Sequence, residues 1–525
     1  MNSESNYENQ GHTSISRRQF LRRVTYASGG LVLMSGLRQA SGTALAATPG
    51  KTGGTVTVAV MGDFASFDPF NMSWVNYPMT QVLYNQFMRY DHEMKLFPEL
   101  AESWKTSQDG KTLTLKLKQG VKFHNGREMT SEDVLKNFDK ARNKAEGIHM
   151  YPSTLTVESV KAVDKYTVDI NFSKVTPEML DVMEVMSTIA PESMASLKNR
   201  PVGTGAFKFV EWIPGDHATL ERFPDYWDKP KPYVDKVVYK IFSDVDAMVA
   251  ALQAGTVDVV ISLPPKDYDR LKGSFNIVRG QTAANHYTLY LNPQKEPFVK
   301  KEVRQAIQWA LDRQSVVDKI LFGQSEPTVL LYPKFSLAYN PKFDGFYKFD
   351  LAKAKELLGK AGYGSGFKAT IVAPTNYPEL VDMSQLLQAD LKKIGVELDV
   401  QPLDPAQWYP KLNGGDYQMT FSFAGNSHKY PTRMALGTAF RLANNPLWPA
   451  GPPKAYADAV NAANGTLDPA EQKKAFDRIQ EVMLDEAWNL SVAWRYTLFA
   501  SQKYVKGLDW SVDDQVALDS VWLDK

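Results

Sequence analysis

No cysteine occurs among the 525 residues of this chain. A disulfide scaffold, a thiolate zinc site, an iron–sulfur cluster, a cysteine nucleophile and a lipid-modified N-terminal cysteine are therefore all excluded. The fold must be held by its apolar core, which a chain of this length can build unaided. Hydrophobic residues make up 43% of it, a normal globular share. Lys and Arg number 60 against 59 Asp and Glu. That balance lacks the basic surplus of a nucleic-acid binder.

The N-terminus reads Ser16-Arg17-Arg18-Gln19-Phe20-Leu21-Arg22, then an apolar, small-residue stretch over 24–37, then Ala44-Leu45-Ala46. A charged region, a short apolar run and a small-residue cleavage site are the three parts of a secretory signal. Paired arginines before Phe-Leu resemble the bacterial twin-arginine signal, which implies export of a folded protein. The apolar run is shorter than the ~20 residues of a spanning helix. Residues 1–46 hold five arginines and two glutamates, so their removal moves the formal charge from +1 to about −2.

Past a Pro/Gly-rich linker at 48–54, residues 54–60 read as a β-branched strand. Residues 80–89 carry helical spacing. Leu113, Leu115 and Leu117 alternate with polar residues, as a half-buried strand requires. Thr130 is a candidate N-cap with Asp133 three residues on. The run 367–373, 380–394 and 396–400 reads strand–helix–strand, the clearest doubly wound piece in the chain.

Chemistry-bearing motifs are scarce. No histidine pair has the i, i+4 spacing of a helical zinc site, and neither a nucleophile elbow nor a phosphate loop occurs. No catalytic residue, metal or cofactor is assigned. Several loops instead combine aromatics with amides and hydroxyls, the mixture that lines ligand clefts. The cleft candidates are Asn71, Trp74 and Tyr77; His149 and Tyr151; Trp408; and Phe423, Gly425, Asn426, Ser427 and His428. Any one of these aromatics could equally be a core or edge residue. Arg433 offers a planar fork for a carboxylate or phosphate, or is a solvated surface charge.

Ordered blocks then resemble the family-5 extracellular solute-binding proteins, the oligopeptide, dipeptide and nickel receptors of ABC importers. They are Phe97-Pro98-Glu99-Leu100-Ala101-Glu102-Ser103-Trp104 with Val121-Lys122-Phe123-His124-Asn125-Gly126, then Pro201-Val202-Gly203-Thr204-Gly205-Ala206-Phe207, then Ala251-Leu252-Gln253-Ala254-Gly255, and finally Ala310-Leu311-Asp312-Arg313. The resemblance implies an α/β fold of the two-lobed periplasmic-binding-protein type (type II, cluster C-like) with an extra inserted α/β domain. Lobe I would comprise 47–83, 201–290 and 496–525, the inserted domain 84–200, and lobe II 291–495. Crossovers near Tyr290 and Arg495 would be the hinges.

It further implies a periplasmic, monomeric receptor, free of any lipid anchor, that binds a small solute between its lobes and hands it to an ABC permease driven by separate ATPase subunits. Peptide-binding members carry an aspartate shortly after a Gly-Trp in lobe II. Here Phe423 stands in place of the tryptophan, and no aspartate lies between it and Pro431. A buried ammonium needs a paired carboxylate. The solute is expected to be peptide-like or another small polar molecule; a sugar, an opine-like conjugate or a sugar phosphate, rather than a free-amine peptide, is the alternative that this loop favours. A secreted α/β hydrolase is the competing class, and would need a Ser/His/Asp cluster that no motif supplies.

Overall fold

The computed structural model describes residues 50–71, 76–91, 95–280, 285–425, 430–510 and 516–525. Three sheets organise them. The largest has seven strands in the order Asn276–Arg279, Leu498–Ser501, Val259–Ile261, Thr55–Met61, Lys236–Phe242, His217–Arg222, Phe207–Ile213. Its central strand, Thr55–Met61, runs parallel to both neighbours. Val56, Val58 and Val60 are buried, as the β-branched run requires.

The second sheet has five strands, in the order Val396–Leu403, Phe367–Pro374, Met419–Gly425, Asn285–Leu291, Asn489–Arg495. The strand–helix–strand reading holds: Phe367–Pro374 and Val396–Leu403 are parallel neighbours joined by the helix Pro378–Lys392. That helix buries Leu380, Met383, Leu387 and Leu391, a stripe at helical period. Both faces of this sheet are covered. Leu289, Ile371 and Phe421 sit in one core, and Tyr290, Trp408 and Trp488 in the other.

A four-stranded antiparallel sheet, Ala101–Thr106, Thr112–Leu117, Thr167–Phe172 and Val157–Asp164, falls within 84–200. Leu113, Leu115 and Leu117 point into its core. The helix Ser131–Ala141 opens with the expected reciprocal cap: Asp133 accepts from the Thr130 N–H at 2.8 Å.

Two sequence expectations are corrected. The helix expected over 80–89 is Tyr77–Leu83, and the chain then turns extended into the strand Met88–Tyr90. A tertiary contact ends the helix: the Gly205 N–H donates to the Leu83 carbonyl at 3.0 Å. A Cβ on Gly205 would stand 2.2 Å from the Val82 oxygen, so no side chain fits there. The expected lobe boundary after residue 290 also moves. The strand Asn285–Leu291 pairs wholly within the five-stranded sheet, so the chain leaves the seven-stranded sheet before Asn285, not near Tyr290.

Two histidines, His124 half-buried and His286 buried, tie this fold to pH. The ring of His124 receives the Gly203 N–H at Nδ1 (3.3 Å) and lies 3.0 Å from the Gly205 carbonyl through Nε2. One acceptor and one donor suit the neutral ring. Burial lowers its pKa to about 4, and burial lowers that of His286 to about 3. Both lie below the value near 6.5 of an unfolded histidine. The unfolded chain therefore binds protons that the native one refuses as pH falls through 6.5. Stability drops on acidification by about 1.4 kcal/mol per pH unit for each ring until its native pKa is reached. Urea unfolding of His124→Gln and His286→Gln between pH 7 and 4.5 should show a shallower decline than the wild type.

Candidate functional site

The strand registers set one edge of each larger sheet. In the five-stranded sheet, Asn285 pairs with both Gly425 and Arg495, while Pro374 pairs with Leu403. In the seven-stranded sheet, Met61 pairs with Phe242, Ile261 with Phe499 and Arg279 with Leu498. The chain crosses between the sheets over 279–285 and 495–498, joining these two edges. Ligands of open α/β sheets bind outside the carboxyl ends of their strands. The cleft between the two lobes is therefore rimmed by the loops that leave these edges.

On the second lobe, Phe423 forms the centre of this rim. Tyr377 meets it edge-on with ring centroids 4.9 Å apart, and Tyr287 lies tilted at 5.5 Å. The Arg495 guanidinium stands 4.8 Å from the centre of the Phe423 ring, a cation–π distance. Glu379, at the start of the helix after Tyr377, is half-buried. Burial raises its carboxyl pKa, and Arg495 pulls the other way. Burial also raises the Tyr287 hydroxyl, with Glu379 adding and Arg495 opposing. Tyr409 lies within electrostatic reach of Tyr377, and burial, the larger cause, raises its hydroxyl pKa. Oppositely charged groups thus flank an aromatic wall.

On the first lobe, Ser262 follows the strand Val259–Ile261 with φ +67°, the left-handed region that a serine rarely occupies. Arg279, at the crossing, lies 4.6 Å from the centre of the Tyr496 ring.

The sequence candidates separate on this frame. The loop ending at Asn71 meets the 148–151 segment: the Met150 N–H donates to the Phe70 carbonyl at 3.1 Å. Asn71 is half-buried, His149 exposed and Tyr151 half-buried. Tyr77 is the first residue of the helix Tyr77–Leu83. Phe423 and Gly425 stand at the rim already described. Trp74, Asn426, Ser427 and His428 lie outside the described residues.

Trp408 is a core residue and forms no cleft wall. Its indole N–H donates to the Thr420 hydroxyl at 3.1 Å, and its side chain is 2% exposed. Helical phase turns the next residue, Tyr409, outward instead.

Arg433 is buried, not a solvated surface charge. Its Nε and Nη1 have no hydrogen-bond partner. It lies in the turn Pro431–Leu436 within electrostatic reach of Glu178. Glu379, Tyr287 and Tyr377 escaped the sequence reading, which expected Arg495 only as a hinge and chose Trp408 over its neighbour Tyr409. Only the Tyr377-Pro378-Glu379 helix start, just past a clear strand, signalled any of them.

Two cavities lie elsewhere. One, of about 40 Å³, is lined by Arg89, Glu99, Tyr226 and Asp519 and has room only for water. The other, of about 290 Å³, lies among Phe343, Phe346, Arg478 and Asp485. Among the described residues, no group of three or more His, Asp or Glu could hold a metal ion, and no helix is long and apolar enough to cross a membrane.

Residues 95–445 match the model of the bacterial extracellular solute-binding proteins, family 5. The chain belongs to this family: it is a solute-binding protein rather than an enzyme. The glutathione-binding protein GsiB of Pectobacterium atrosepticum is 27% identical over 489 residues, covering 88% of this chain and 93% of that protein. Among solved structures, AgaA of A. tumefaciens R10, a PBP in complex with agropinic acid, superposes with a TM-score of 0.79 at 25% identity, covering 90% of this chain and 99% of that one. The ABC transporter-associated periplasmic binding protein DppA of Helicobacter pylori, in complex with the peptide STSA, does so with the same score, identity and coverage. The two-lobed α/β fold expected from the sequence is the fold of these proteins.

The core assignment of Trp408 and the outward position of Tyr409 have separable consequences. Trp408→Ala should cost about 3–5 kcal/mol in urea unfolding, as loss of a buried indole does. Tyr409→Phe should stay within about 0.5 kcal/mol, as an outward-facing hydroxyl allows.

Proposed function

We propose that this chain is the periplasmic capture component of an ABC importer, and that its solute carries separated charges within one small polar molecule. The observation that carries the reading is the Tyr287–Phe423–Tyr377 wall with the Arg495 guanidinium 4.8 Å from the centre of the Phe423 ring, and with Glu379 within electrostatic reach of Arg495. A guanidinium suits a carboxylate or phosphate. A half-buried carboxylate suits an ammonium or a cluster of N–H donors. Glu379 supplies, from a neighbouring loop, the carboxylate that the segment between Phe423 and Pro431 lacks. A peptide-like conjugate fits this arrangement better than a neutral sugar. The glutathione-binding relative and the agropinic acid complex of AgaA support that class. The second of them keeps an opine-like ligand as the runner-up, named in its own right by a complex on the same fold.

Capture proceeds by closure of the lobes about the crossings, with the closed population set by the ligand's preference for that form. The permease receives the solute, and separate ATPase subunits power its passage. The N-terminal segment that resembles a twin-arginine leader supports export to the periplasm.

Native mass spectrometry of gently purified protein, followed by calorimetry with glutathione, agropinic acid and maltose, tests this. Glutathione or agropinic acid should bind, and Arg495→Ala and Glu379→Gln should each weaken that binding at least tenfold. Tight binding of maltose, with neither charged ligand bound, would overturn the reading.

A further inference from the structure

Asp181 lies in the short helix Met179–Val185, within 84–200, and is 3% exposed. Its two oxygens serve different parts of the molecule. Oδ1 accepts from the Tyr90 hydroxyl at 3.0 Å, a neighbour in the same segment. Oδ2 accepts from the backbone N–H of Tyr430 at 2.5 Å, across 249 positions of sequence.

Tyr430 is rooted in the second lobe. Its hydroxyl donates to the Ala463 carbonyl at 2.8 Å and receives the Gln472 amide at 3.0 Å. Those partners belong to the helices Lys454–Asn464 and Pro469–Glu486. Tyr430 also stands five residues beyond Gly425, the last residue of the rim strand.

A second contact joins the same bodies. Gly110, in the turn between Ala101–Thr106 and Thr112–Leu117, leaves space that Leu467 fills: a Cβ there would lie 2.7 Å from Leu467 Cδ1. Leu467 sits in the loop between the two second-lobe helices that hold Tyr430. Beside the polar contact, Glu178 Oε2 and Arg433 Nε and Nη1 are buried without hydrogen-bond partners. Opposite charges therefore face each other from the two bodies.

We propose that Asp181 is a positioning residue for solute capture: from the segment 84–200 it holds the backbone of Tyr430 in the second lobe, and so makes that segment a party to lobe closure. A carboxylate accepting a backbone N–H in a dry seam gives a short, charge-assisted bond that exists only while the two bodies touch. Its loss frees the Tyr430 backbone and removes a contact between the two bodies. The proposal rests on lobe closure, which the family supplies, and not on the charge of the solute.

The cysteine-free sequence makes the test direct. Nitroxide labels on Lys161→Cys and Ala470→Cys, one on each body, report their separation by double electron–electron resonance in the full chain purified without denaturation. The wild-type background should show a short-distance population. Asp181→Ala should move at least half of it to longer distance, and Asp181→Glu should restore part of it. Tyr90→Phe removes a partner of the same carboxylate without touching Tyr430, and should leave the distribution unchanged. Circular dichroism checks the fold. If Asp181→Ala unfolds, Leu467→Ala, which cuts the second contact from the exposed side, decides by the same shift. An unchanged distribution in the folded variant overturns the proposal, as does a wild type with no short-distance population. Failure of glutathione and agropinic acid to bind would leave these distances untouched, so the two readings fail separately.

Discussion

Two short crossings of the chain, at 279–285 and 495–498, control what this molecule can do. They join the same edge of two sheets that otherwise share no strand. Each crossing ends a strand at a rim residue: Arg279 and Arg495 on departure, Asn285 and Leu498 on arrival. Loops that leave these edges are, on the proposed reading, the ones that meet a solute between the lobes. Both crossings begin with an arginine whose guanidinium lies against a ring, Arg279 on Tyr496 and Arg495 on Phe423. A cation held against an aromatic face keeps its position while retaining exposed N–H groups.

Burial of charge is the second constraint, and it separates structural from functional pairs. Arg304 shows the structural kind. It is 2% exposed, and its guanidinium reaches Glu486 at 2.7 Å as well as the Phe298 and Glu486 carbonyls. Every side of it is satisfied, which is what a buried ion requires. Arg433 and Glu178 are different: each keeps buried polar atoms without a hydrogen bond, although the two feel one another's charge. Their location explains the difference. Arg304 lies inside one lobe, whereas Glu178 belongs to the segment 84–200 and Arg433 to the second lobe, on opposite sides of the contact that Asp181 makes with Tyr430.

The sequence was most legible where local periodicity and tertiary burial agree. The alternating leucines at 113, 115 and 117, the Thr130–Asp133 cap and the unit from Phe367 to Leu403 depend on neighbours in the chain, and all stand as read. Legibility failed where a distant contact overrides a local pattern. The helical spacing of 80–89 is real, but Gly205 takes the Leu83 carbonyl and the chain turns extended. The apolar run Tyr287–Leu291 announces a strand, yet nothing in it says which of two sheets it joins. Trp408 and Tyr409 are adjacent aromatics, and only the packing of their helix decides which one faces in.

The rim was harder still to read, because its parts come from separate strands. Tyr287, Tyr377, Phe423 and Arg495 belong to four segments that become neighbours only once the five-stranded sheet has formed. The blocks that mark the family fall elsewhere. Gly203 and Gly205, for example, lie where a Cβ would stand 2.2 Å from a backbone oxygen. They specify the scaffold and leave the rim free to vary. This division explains how relatives at about a quarter identity keep one fold while their names record glutathione, peptide and opine ligands. A receptor of this kind changes its solute by exchanging side chains at the strand ends, where backbone geometry is already fixed by hydrogen bonds one residue away. Under the proposed reading, Glu379 supplies, at the start of the helix Pro378–Lys392, a carboxylate that the sequence between Phe423 and Pro431 lacks.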